Sequence, residues 1–130
     1  SWIEDGITAW SGVFHKKVLW SGSGCTSGDI VLNEDIRAYK MLLIHQDKAG
    51  ADIPIAFSGE DVYFSGGSAY VNPNYPTKLI IYQAGFCVAN WNPMTLRFYA
   101  SNYWLLDSAA TSKELSKSSV SPITAIWGVI

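Results

Sequence analysis

Hydrophobic residues in this 130-residue chain fall in short runs punctuated by turn residues, and no window carries the i, i+3, i+4, i+7 stripe of an amphipathic helix. The sharpest alternation sets Ile53, Ile55 and Phe57 on one side against Pro54 and Ala56 on the other, the period-two signature of a strand. Pro54 cannot donate to a ladder, which assigns that strand to a sheet edge or a bulge. Further strands are expected over 13–20, 29–32, 39–46, 61–64, 78–90, 95–101 and 123–129. Short strands in this number predict an all-β fold, an antiparallel β-sandwich, built as a single domain over residues 1–130.

Between the runs, Ser21-Gly22-Ser23-Gly24, Lys48-Ala49-Gly50, Ser65-Gly66-Gly67-Ser68, Asn72-Pro73-Asn74-Tyr75-Pro76 and Asn92-Pro93 supply the positive-φ and fixed-φ positions of turns. Residues 108–119 are polar and poor in Gly and Pro, a pattern equally compatible with one helical turn or a loop.

Two runs lose the alternation. Tyr39-Lys40-Met41-Leu42-Leu43-Ile44 and Leu79-Ile80-Ile81-Tyr82 are largely apolar on both faces, as strands are when both faces are covered. With no helices to supply the second cover, another subunit is the natural candidate. The ending Ile123-Thr124-Ala125-Ile126-Trp127-Gly128-Val129-Ile130 argues the same way, because Trp, Val and Ile left exposed on a strand invite aggregation. The expectation is a buried C-terminal strand near a subunit interface; the alternative is a central strand of a monomeric sandwich.

Composition adds a surplus of rings. Charged residues make up 15% of the chain and aromatic residues 14%, as six Trp, seven Tyr and five Phe. A domain of this size buries only about two-thirds of the surface its unfolded chain exposes, so some rings must line an interface or a binding surface. The formal charge of -2 is spread thinly, with Lys16-Lys17 the one adjacent basic pair, so nucleic acid is not an expected partner. No apolar run approaches the roughly 20 residues of a membrane span, so membrane insertion is not expected. The chain opens at Ser1 with no signal peptide before it, which suggests a fragment of a longer protein. Cys25 and Cys87 lack CxxC spacing and are expected as free thiols, with one bridge as the alternative.

The run Lys17-Val18-Leu19-Trp20-Ser21-Gly22, followed by Gly28-Asp29-Ile30-Val31-Leu32 and Tyr39-Lys40-Met41-Leu42-Leu43-Ile44, resembles the opening of C-terminal domains on bacteriophage tail fibres and related tail tip proteins. The ending Ile123-Thr124-Ala125-Ile126-Trp127-Gly128-Val129 resembles the Ile-Thr-x-Ile-x-Gly-Val close of the same group. Residues 47–119 are unmatched. The resemblance implies a β-sandwich at the distal tip of a homotrimeric fibre, a virion component made in the host cytoplasm. Its implied partners are itself, as a homotrimer, and a bacterial cell-surface receptor, either a polysaccharide or an outer-membrane protein. It carries over no receptor-contacting residue, and Trp127 and the two cysteines find no counterpart in it.

The chain has neither GxSxG nor HExxH nor a phosphate-binding loop, so no enzyme, catalytic residue, cofactor or metal site is expected. Glu34-Asp35 and Glu60-Asp61 could form a glycosidase pair, but adjacent acids before strands read more simply as solvated turn residues or caps. His15 and His45, in β-patterned runs, read as structural or exposed rather than as metal ligands. The binding candidates are rings and amides beside turns: Tyr63, Tyr70, Asn72, Asn74 and Tyr75; Asn90, Trp91 and Asn92; Asn102, Tyr103 and Trp104. Rings on loops stack on sugars or fill pockets on a protein, and neighbouring amides bond hydroxyls or backbone. Trp91 and Trp104 are the sharpest of these. Trp20 is expected to close the core, and Gly128 to mark close approach of a backbone or ring at a threefold contact. Rival readings are an assembly module that buries these rings between subunits, or a free-standing lectin-like domain.

Overall fold

The computed structural model describes residues 15–25, 27–47, 52–56, 63–71, 73–107, 109 and 116–130. Its strands are Lys16–Cys25 (β1), Gly28–Val31 (β2), Met41–Gln46 (β3), Ile53–Ala56 (β4), Tyr63–Val71 (β5), Lys78–Val88 (β6), Thr95–Asp107 (β7), Ser116–Val120 (β8) and Ile123–Val129 (β9). One antiparallel sheet has the order β1-β9-β3-β4; the second has the order β2-β7-β6-β5, with β8 also paired to β7. Because β6 occupies one edge of β7 along its length, β2 and β8 share the other edge, β2 beside Thr95 to Phe98 and β8 beside Asn102 to Leu105. The expected all-β sandwich is what the chain forms.

The two sheets face each other across one core. Leu19, Leu42, Ile44, Ile53, Ile55, Ile123 and Ile126 come from the first sheet, and Ile30, Tyr82, Ala84, Phe86, Leu96 and Phe98 from the second. Period-two alternation selects these residues, as in β3, where Leu42, Ile44 and Gln46 are buried while Met41, Leu43 and His45 are only half-buried. Phe86 is fully buried between Phe64 and Phe98, with ring centroids 5.4 and 5.3 Å away.

Pro54 lies on β4, which pairs only with β3, so the edge placement expected from its missing N–H is correct. The C-terminal strand is buried as expected: it is the central strand β9, flanked by β1 and β3 of the same chain. Gly128 does meet a ring, but the ring is the chain's own: a Cβ there would lie 2.5 Å from Tyr39 Cδ1. Trp20 packs against the core and lies over Gly22, as a core-closing ring should.

Two expected turns are strand. Ser21 to Gly24 belong to β1, whose register with β9 shifts twice, so irregular pairing absorbs the glycines without reversing the chain. Ser65-Gly66-Gly67-Ser68 is the middle of β5, fully paired to β6 from Tyr63 to Val71. Close approach explains its composition: a Cβ on Gly66 would sit 2.8 Å from the carbonyl oxygen of Pro54 and 2.9 Å from Ile55 Cγ1, so only glycine lets β5 pass β4. The expected strand over 61–64 therefore continues to Val71, that over 95–101 continues to Asp107, and part of the unassigned 108–119 is β8. Residues 13–14, Lys48-Ala49-Gly50, Phe57, Glu60-Asp61 and most of 108–115 lie outside the described residues. Among the described residues, no helix is long and apolar enough to cross a membrane.

Candidate functional site

On the outer face of the second sheet, register places Ser65 beside Gly85, Gln83 between Gly67 and Asn102, and Ile81 beside Trp104. Ser65, Gly66, Gly67, Ile81, Gln83 and Trp104 line a shallow groove of about 410 Å³. The missing side chain at Gly67 leaves its floor open, and the half-buried Trp104 forms a wall. Trp104 is held in place: its Nε1–H donates to Gln83 Oε1 at 2.9 Å. With that oxygen turned to the indole, the two N–H donors of the Gln83 amide point away from it.

A second aromatic platform stands further along the same face. The register of β6 and β7 shifts between Gly85 and Phe86, leaving Tyr99 as the extra residue of a bulge. The Tyr99 ring lies across Gly85, its hydroxyl donates to the Phe64 carbonyl at 3.2 Å, and it meets Tyr63 edge-on with centroids 5.9 Å apart. Both rings are more than half exposed. Beyond them, Arg97 forks Asp29 through Nε at 2.7 Å and Nη2 at 3.1 Å, and these bonds hold the Asp29 carboxyl below its usual range.

Beneath the groove the sheets are pinned by a buried polar cluster. Gln46 of β3, wholly buried, donates from Nε2 to the Gln83 carbonyl at 2.9 Å and to Ser101 Oγ at 3.2 Å, while Ser101 donates to the Ser121 carbonyl. The residue whose side chain fixes Trp104 is thus itself anchored from below. Gln46 Oε1 and Ser121 Oγ have no partner within this cluster.

The residues singled out by sequence do not form one site. Tyr63, Asn102 and Trp104 lie on the outer face, although all three are in strands rather than loops. Tyr103 and Tyr70 take the opposite face: Tyr103 packs on Tyr82 at 6.0 Å against the core, and Tyr70 pairs with Ile80. Asn74 and Tyr75 lie in the β5–β6 turn, with Lys78 Nζ 5.2 Å from the Tyr75 ring centre. Asn72 lies outside the described residues. Asn90, Trp91 and Asn92 lie in the β6–β7 turn, and the 11 residues of β6 put the two turns roughly 35 Å apart. Asn92 serves its own turn, its Oδ1 accepting from the Met94 N–H at 3.1 Å. Trp91 is 89% exposed, and both it and Asn90 have positive φ, 58° and 52°.

Sequence reasoning missed Gln83, Ser65 and Tyr99. Gln83 carried a signal: it is the one amide in the apolar run of β6. Tyr99 carried none, because a one-residue bulge aims it.

The acidic pair 34–35 is structural. Glu34 accepts from the Tyr39 hydroxyl and pairs with Lys17 at 3.2 Å, which lowers its pKa and pushes Tyr39 up to about 12. Asp35 caps the 3-10 turn Ile36–Ala38 and is forked by Arg37. His45 Nδ1 lies 2.8 Å from Asp52 Oδ1 and its ring meets Trp127 edge-on; His15 is exposed. Cys25 and Cys87 are free, on different sheets.

No family model, no curated protein and no solved structure matches the chain.

Proposed function

We propose that the chain is a receptor-binding domain of the kind carried at the distal tip of a bacteriophage tail fibre, recognising a polysaccharide or outer-membrane protein on a bacterial surface. The observation that carries this reading is a sheet face with an open floor, fixed indole, exposed tyrosine pair and oriented amide. Such a face binds by shape and hydrogen bonding. Binding rather than catalysis is also favoured by Glu34 and Asp35, whose oxygens are engaged by Tyr39, Lys17 and Arg37. The homotrimer draws on a different surface. Val18, Trp127, Leu43 and Pro54 align in one row across all four strands of the first sheet on its outer face, with Val18 and Pro54 exposed. An apolar row of this kind suits contact with further copies.

Labelled protein incubated with a broad panel of intact bacteria tests the recognition half: a subset of strains should retain it after washing. Retention by none would sink the reading. Light scattering over a range of concentrations tests assembly; a monomer throughout would leave a lectin-like domain without the fibre.

A further inference from the structure

We infer that the outer face of the β5-β6-β7 sheet binds an extended oligosaccharide, laid along β6 with Trp104 and the Tyr63–Tyr99 pair as its two stacking platforms. The inference rests on the recognition reading and narrows it to one ligand class. The platforms are centred near Ile81 and Gly85, four residues apart on β6, which is roughly 13 Å. That exceeds one sugar ring and suits a short run of linked ones. Between them stand Gln83, whose amide N–H groups are turned from the indole, and Asn102, with Ser65 beside Gly85 at the tyrosine platform, the hydroxyl-matching groups a carbohydrate needs.

Cells of a strain that retains the domain decide the question. Periodate, which cleaves the vicinal diols of sugars, should abolish retention, whereas stripping surface proteins with protease should not. Trp104→Ala and Gln83→Leu should each weaken retention about tenfold or more with the far-ultraviolet circular dichroism of the parent. Trp104→Phe, which keeps a ring in the wall, should retain more than Trp104→Ala and serves if the alanine variant does not fold. Retention that survives periodate but is lost to protease would overturn the glycan assignment and leave recognition standing. Retention by no strain would remove the recognition reading itself.

Discussion

Trp104 and Trp91 look alike in the sequence, each within two residues of an Asn and of a Tyr or Pro, yet the fold treats them as opposites. Trp104 sits in the middle of a sheet, its indole bonded to Gln83, whose carbonyl is held in turn by the buried Gln46. Trp91 sits at the tip of a turn, almost wholly exposed, on a backbone with positive φ that bulky residues avoid. A binding ring gains by being fixed before its ligand arrives, because immobilising it later costs entropy. The difference teaches that exposure is the weaker criterion: the half-buried tryptophan is the better prepared platform.

Mutations separate the held ring from the exposed one. The largest effect belongs to the support beneath the held region: Phe86→Ala should cost about 3–5 kcal/mol of unfolding free energy, read by urea titration, while Trp91→Ala should stay within about 0.5 kcal/mol. In the cell-retention assay, Trp104→Ala should weaken binding about tenfold or more and Trp91→Ala almost not at all. Equal losses would move recognition to the tip and end the comparison. Gln46→Ala should destabilise by about 1–2 kcal/mol, since it removes two buried bonds to Gln83 and Ser101. A smaller gain is expected from Trp91→Gly, which relieves the positive φ and should raise stability by up to about 1 kcal/mol.

Acidity provides a last, modest contrast. Asp29, Glu34 and Asp35 all have pKa values lowered by their partners Arg97, Tyr39 and Arg37, so their contribution is complete above the unfolded carboxylate values near 4 and is lost as pH falls through the lower folded values. Tyr39 has the opposite sign: its pKa, raised to about 12, favours the neutral form in the folded state, so stability is lost as pH climbs from about 10 to 12. Thermal melts across both ranges should show these two declines, and Tyr39→Phe should remove the alkaline one attributed to this group.

Much of the fold was legible in particular residues. Alternation through Ile53-Pro54-Ile55 gave an edge strand, and the run 123–129 matched β9 from end to end. The glycine-rich stretches misled, because Gly is read as a turn former when its conformational freedom is considered alone. At Gly66 what matters is the absence of a Cβ where two strands cross, and a sequence does not record which strands will cross. The candidate site was half legible. Trp104, Asn102 and Tyr63 stood out as rings and amides near small residues, but whether a strand residue faces core or solvent depends on register. Tyr103 and Trp104, adjacent in the chain, therefore point to opposite faces of the same sheet.

The class of structure follows from local pattern: short apolar runs with period two and no helical stripe leave little besides an all-β sandwich, and an excess of rings guarantees that some remain outside its core. Tertiary structure alone decided which rings those are. A bulge of one residue turned Tyr99 outward, and pairing of β5 with β6 set Gly67 opposite Gln83, within reach of Trp104. Such choices arise from contacts between residues far apart in the chain, and no local pattern encodes them.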